Sequence, residues 1–221
     1  MNNFLTIDAL TVRYGRRTAL DDIQLRIDGS GQVIGLFGRN GAGKSTLMRV
    51  ICGLIGRHGG RVQCAGSIAY LPDVPIWYPW LRLSTCIQLA ARLWPDFDVE
   101  RGHRLLRILG LSERMRVRQL SKGMSEQVHI ALVLARRCSL YVFDEPLAAV
   151  DPVTRDRVVE LIRTEREPGS TVLISTHLIA GLESLFDEAV VIDDGRVLLQ
   201  VDRTGLTEAG ALEAQIKEVL A

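Results

Sequence analysis

Apolar and polar residues alternate over positions 4–13 and again over 22–27, where Ile23, Leu25 and Ile27 share one face, so both stretches predict strands covered on one side. The pattern changes after Gly-Ser-Gly at 29–31. Val33-Ile34-Gly35-Leu36-Phe37 is apolar without alternation, as in a strand buried on both faces, and it runs into a glycine-rich turn. Leu47, Val50, Ile51 and Leu54 then recur at helical spacing, which predicts a helix over 45–54. A short β stretch ends at Leu71. Beyond it Leu83, Ile87, Ala90, Ala91 and Trp94 line one helical face, Pro95 breaks the pattern, and residues 105–109 resume it.

The second half alternates between element types. Helical spacing over about 125–137 leads to the apolar strand Leu140-Tyr141-Val142-Phe143, a helix over about 152–166 and a strand over 171–175. Pro168-Gly169 marks a turn, and Asp194-Gly195 predicts a two-residue hairpin between strands at 189–192 and 196–201. The tail, 207–220, has the spacing of an amphipathic helix. This β-α-β-α order predicts an α/β fold, with a mostly parallel sheet and helices on both faces.

Composition narrows the class. At 221 residues, with 47% hydrophobic and 24% charged residues, the chain suits one globular domain over 1–221 with a real core. Its formal charge of +1 gives no global attraction to nucleic acid or an anionic membrane, so no nucleic-acid partner is expected. The amino-terminal segment carries Asp8 and alternates like a strand rather than a secretory signal, and the mature protein is expected to begin at Met1. Arg136 and Arg137 interrupt the most apolar stretch well short of the roughly 18 residues of a membrane span. Cys52, Cys64, Cys86 and Cys138 are widely spaced and are read as reduced core residues of a cytoplasmic protein.

Gly38-Arg39-Asn40-Gly41-Ala42-Gly43-Lys44-Ser45 fits G-x-x-x-x-G-K-[ST] between a predicted strand and a predicted helix, the context of a phosphate-binding Walker A loop. Backbone N–H groups curl around phosphate oxygens, the helix N-terminus adds positive potential, and Lys44 reaches the β and γ phosphates. Ser45 offers its hydroxyl to Mg²⁺, and Thr46 completes the expected nucleotide-binding set. Asp144 and Glu145 stand at the carboxyl end of the 140–143 strand. Asp144 is expected at Mg²⁺ through water, and Glu145 as the base that aligns the attacking water.

Further motifs carry a family resemblance. Leu120-Ser121-Lys122-Gly123-Met124 resembles the LSGGQ signature of the ATP-binding cassette (ABC) family, Leu147-Ala148-Ala149-Val150-Asp151 its D-loop, and Ser175-Thr176-His177 its switch histidine. Tyr14, thirty positions before Lys44, matches the aromatic residue that stacks on adenine, although a Tyr before Gly also suits an ordinary turn. The resemblance implies a RecA-like P-loop NTPase: a mostly parallel sheet core, an N-terminal antiparallel β subdomain, and an α-helical subdomain inserted at about 74–124. It also implies that ATP and Mg²⁺ bind, that Glu145 and His177 act on the γ phosphate and its water, and that Ser121, Lys122 and Gly123 face ATP held by another subunit. A head-to-tail homodimer, or a heterodimer with a related ATPase subunit, follows. Asp151 is placed at that interface, or as an N-cap for the helix beginning at Pro152, or both. His58, His103 and His129 are read as structural or surface residues.

The motifs also depart from the family pattern. Tyr70-Leu71-Pro72-Asp73 has Asp where the family usually has Gln, and Asp73 is expected to keep a metal contact and the relay to a membrane partner. Lys122 and Met124 replace Gly and Gln, with Lys122 either adding charge near the nucleotide or pointing to solvent. YLPD, LSKGM and Trp94-Pro95-Asp96-Phe97-Asp98 together resemble bacterial exporter-type subunits for antibiotic or small-molecule efflux. The aromatic stretch Val74-Pro75-Ile76-Trp77-Tyr78-Pro79-Trp80-Leu81 either receives the membrane subunit or fills the seam between subdomains. The expectation is an ATP-hydrolysing subunit at the inner face of the cell membrane, powering a separate integral membrane transporter for export. The alternative is a soluble ABC ATPase of the metal-cluster assembly type.

Overall fold

The computed structural model describes residues 4–28, 31–74, 76–148, 150–177, 182–202 and 211–220. Strands β1 (Leu5–Tyr14), β2 (Arg17–Ile27) and β4 (Gly59–Cys64) form an antiparallel sheet in the order β2-β1-β4. A second, six-stranded sheet contains β5 (Ile68–Leu71), β6 (Leu140–Asp144), β7 (Thr171–Thr176), β3 (Val33–Phe37), β8 (Glu188–Asp193) and β9 (Arg196–Asp202), in that spatial order. It is parallel from β5 to β8 and antiparallel at β8–β9. The helices are α1 (Lys44–Ile51), α2 (Leu83–Leu93), α3 (Val99–Ile108), α4 (Lys122–Leu134), α5 (Pro152–Glu165) and α6 (Ala211–Val219). This is the RecA-like P-loop NTPase fold, with an N-terminal antiparallel β subdomain and an inserted helical subdomain.

Side chains alternate across a strand, so β3 serves two cores at once. Val33 and Phe37 enter the cluster that includes buried side chains of α2 to α5, whereas Ile34 and Leu36 enter the one shared with β1, β2 and α1. β6 divides in the same way, with Tyr141 and Phe143 on the first face and Leu140 and Val142 on the second. Burial on both faces explains why these strands read as unbroken apolar runs.

Element boundaries differ from the sequence pattern where caps intervene. Helix α1 stops at Ile51 because Gly53 turns into the left-handed region, which leaves Leu54 exposed rather than on the helical stripe. Helix α4 begins at Lys122, not 125, since Ser121 caps it by accepting from the Met124 N–H at 3.2 Å, and it ends at Leu134. Asp98 likewise caps α3 and starts it before the periodic residues 105–109. The 194–195 hairpin forms as expected, with positive φ at both turn residues. Expected features at Gly29-Ser30, Pro75, Ala149 and 207–210 lie outside the described residues.

Trp77 is buried and meets Trp94 edge-on, with centroids 6.3 Å apart, so it fills the seam of the helical subdomain. Tyr78 and Trp80 face outward, 63% and 58% exposed, and stack on each other at 4.7 Å. The helical subdomain is tied to the core by guanidinium–carboxylate pairs. Arg136 holds Asp96 with two 2.9 Å hydrogen bonds while its guanidinium lies 5.3 Å from the Trp94 ring, and Arg101 holds Glu167 at 2.6 Å. Among the described residues no helix is long and apolar enough to cross a membrane.

Candidate active site

The turn after β3 is shaped by its glycines. A Cβ on Gly38 would lie 2.1 Å from the Ile192 carbonyl oxygen, and one on Gly43, where φ is 109°, would lie 2.8 Å from that of Ala19. The loop therefore seats against β2 and β8, and no side chain caps the first N–H groups of α1. Lys44, the first residue of α1, is only 6% exposed. Its ammonium donates to the Gly38 carbonyl at 2.8 Å and the Arg39 carbonyl at 3.3 Å, and lies 3.3 Å from Glu145 Oε1.

Asp144 and Glu145 are set by strand register. β6 and β7 pair Asp144 with Ser175. Ser175 Oγ donates to Asp144 Oδ1 at 2.7 Å and accepts from the Glu145 N–H at 2.8 Å, so one hydroxyl fixes both acids. From the other side the Tyr70 hydroxyl donates to Asp144 Oδ2 at 3.3 Å. Burial, then the charge of Asp144, pushes that hydroxyl up to about 12, which keeps it a donor. Glu145 has φ of 52°, an uncommon conformation for a side-chain-bearing residue and one that re-aims its carboxylate as the strand ends. His177 Nδ1 lies 3.0 Å from Glu145 Oε2.

Around Lys44 opens a cleft of about 380 Å³. Of the residues expected at nucleotide or metal, Tyr14, Arg39, Asn40, Gly41, Gly43, Lys44, Ser45, Thr46, Asp73 and Glu145 line it. Gly38 and Ala42 shape the loop from behind, and Asp144 is buried beneath it. Asp73 is partly exposed and lies 3.7 Å from Arg49. Arg17 also lines the cleft; it belongs to no motif, and only its pairing with Tyr14 across the β1–β2 tip reveals it. Ser121, Lys122, Gly123 and Asp151 are not among the lining residues. Asp151 caps α5 by accepting from the Thr154 N–H at 3.1 Å and hydroxyl at 2.6 Å, and Gly123 packs against the same Thr154.

The donor set fits MgATP. A buried cation, the Ser45 hydroxyl and an uncapped helix start suit phosphate and a hard metal ion. Glu145 Oε1 is buried with no hydrogen-bond donor, only the charge of Lys44 nearby, and so keeps acceptor capacity for a water. Residues 20–148 match the ABC transporter family.

The chain belongs to that family. It is the ATP-binding and ATP-hydrolysing type of subunit, which couples to a membrane partner. It is 33% identical to the aliphatic sulfonates import ATP-binding protein SsuB of Pectobacterium atrosepticum, over 97% of this chain and 86% of that one. A solved ATP-binding subunit of an ABC transporter superposes with a TM-score of 0.85 at 28% identity, covering 99% of this chain and 100% of that chain. The dimeric structure of MJ0796, a bacterial ABC transporter cassette, shares the fold with a TM-score of 0.78 at 21% identity, over 90% and 98% of the two chains.

These relatives correct the expectation of an exporter-type efflux subunit, since the relatives named for a cargo are importer subunits. Asp73 lines the nucleotide cleft and Ser121 caps α4. The YLPD and LSKGM forms thus vary residues at the nucleotide cleft and at the start of α4.

Proposed function

We propose that residues 1–221 act as one ABC nucleotide-binding domain at the cytoplasmic face of the membrane, closing as a pair over two MgATP and driving a separate integral membrane transporter. The observation that carries this reading is Glu145, held between Lys44 at 3.3 Å and His177 at 3.0 Å at the mouth of a phosphate-shaped loop. Lys44 and the loop N–H groups bind the β and γ phosphates, and Tyr14 supplies a ring for adenine. Ser45, Asp144 and Asp73 are the residues that would hold Mg²⁺, which when bound neutralises charge on the phosphates. Glu145 takes the proton of the attacking water, with His177 keeping its carboxylate aimed.

The exposed start of α4 supports the paired state. Ser121, Lys122 and Gly123 lie away from this chain's own cleft, so the anion they suit is the γ phosphate on a second cassette. Gly123 and Asp151 meet through Thr154, which couples the signature to the interface segment. The stacked Tyr78 and Trp80 are the anchors for the membrane subunit, whose identity sets the direction of transport.

The test is Glu145→Gln. It is expected to bind ATP with near wild-type affinity, lose at least about a hundredfold in turnover, and elute as a dimer on size exclusion in the presence of ATP. Hydrolysis at the wild-type rate would falsify Glu145 as the base.

A further inference from the structure

We propose that Arg49 and Tyr70 are positioning residues that join Asp73 to Asp144 and Glu145, so that displacement of the Asp73 loop re-aims the catalytic carboxylates. This rests on the reading above and adds a route between the loop and the chemistry. Asp73 lies 3.7 Å from the Arg49 guanidinium, the neighbouring Tyr70 side chain is the first influence raising the pKa of that guanidinium, and Tyr70 donates to Asp144 Oδ2 at 3.3 Å. On the far side of Asp144, Ser175 Oγ donates to Oδ1 at 2.7 Å and accepts from the Glu145 N–H at 2.8 Å. Tyr70, Ser175 and the Glu145 N–H each have an acceptor, and Asp144 is where the two halves meet.

Backbone placement explains why these residues converge. β5 and β6 run parallel with Tyr70 opposite Val142 and Leu71 opposite Phe143, so Tyr70 travels beside the strand that ends at Asp144. Arg49 lies in the last turn of α1, the helix that Lys44 begins. One guanidinium therefore links the Asp73 loop to the phosphate helix and lies beside β5. Asp73 makes the arrangement necessary: an amide both donates and accepts, whereas a carboxylate only accepts and calls for a cation.

The two halves differ in strength, as a relay requires. Arg49 and Asp73 side chains are 41% and 44% exposed, so their ion pair adds little to stability and exchanges readily. The hydrogen bonds around Asp144 are buried or partly buried and hold orientation. A partner that displaces Asp73 thus breaks the weak link, leaving Arg49 free to reorient and Tyr70 with a changed set of neighbours.

The experiment compares Tyr70→Phe, Arg49→Gln, Arg49→Lys and the double variant Tyr70→Phe/Arg49→Gln. ATP binding is measured in EDTA, and steady-state hydrolysis is measured against both ATP and Mg²⁺ concentration. Tyr70→Phe and Arg49→Gln are each expected to lower kcat about tenfold and raise the Mg²⁺ half-saturation several-fold, as loss of a residue behind a metal ligand does. KM for ATP and binding in EDTA stay at wild-type values, and Arg49→Lys recovers most of the loss. The double variant is expected to match the worse single one, since both act in one series. Wild-type kcat and Mg²⁺ half-saturation in Tyr70→Phe overturns the proposal, as does an additive loss in the double variant. Glu145→Gln run in parallel separates the two levels: if it is inactive while Tyr70→Phe is wild-type, the relay fails and the catalytic assignment stands.

Discussion

Glu126 and His129 lie about one turn apart on α4 and carry opposite pH signatures. Burial pushes the Glu126 carboxyl up to about 7 and the His129 imidazole down to about 4. For Glu126 the folded value is raised, so its contribution to stability is complete below about 4.5 and lost as pH rises through about 7. For His129 the folded value is depressed, so its contribution is complete above about 6.5 and lost as pH falls through about 4. Thermal unfolding at a series of pH values is expected to show Glu126→Gln gaining stability over wild type at pH 8 and converging with it near pH 4. His129→Gln is expected to flatten the slope between pH 6.5 and 4; an unchanged slope there would count against a buried neutral imidazole. The sequence leaves His129 as structural or surface and does not reveal its burial, because burial depends on what packs across α4. The same limit hid Arg49 and the contacts of Tyr70 and Ser175, which the sequence shows only as members of their motifs. Lys44, Asp144 and Glu145 were legible because their chemistry is local in the chain, whereas those three act through tertiary neighbours that no spacing rule connects.

At the scale of elements, Arg136 ends the α4 segment with a bidentate hold on Asp96 and a contact to Trp94, fastening the loop between α2 and α3 to the core. Its side chain is mostly buried, so Arg136→Ala removes charge-assisted hydrogen bonds together with packing. The expected cost is about 2–3 kcal/mol, read from the shift in urea midpoint; a loss near zero would show the pair to be ornamental. The sequence placed the helices and strands from periodicity and misplaced ends where one residue decides. Gly53 terminates α1 and Ser121 starts α4, and both act through backbone conformation or a cap rather than through hydrophobicity. The aromatic stretch resisted reading for another reason. Trp77 is buried whereas Tyr78 and Trp80 face outward, so no single reading covers the whole stretch.

For the whole molecule, a cleft that lacks its own signature residues predicts complementation between chains. Lys44→Ala and Ser121→Ala are each expected to hydrolyse ATP poorly alone. Mixed in equal amounts they are expected to recover about a quarter of wild-type turnover, because random pairing makes half the dimers mixed and gives each of those one intact site. A mixture no more active than its components would argue against sites shared between subunits. The parallel sheet and its site at the strand ends were foreseeable from β-α-β-α order.

The pairing of Asp144 with Ser175 across β6 and β7 has a consequence for how this chain can change length. One hydroxyl on a neighbouring strand orients both acids, and a one-residue slip turns every side chain of a strand to the opposite face. An insertion or deletion within 140–144 or 171–176 would therefore disarm catalysis and invert part of both cores. Connections such as 166–170 join elements at the other end of the sheet, so lengthening them leaves the acids in register at the cost of local contacts such as the Arg101–Glu167 pair. Tolerance of insertions should map along the chain as a sharp alternation, forbidden in the strands that carry the acids and their clasp, permitted at the turns facing away from the nucleotide.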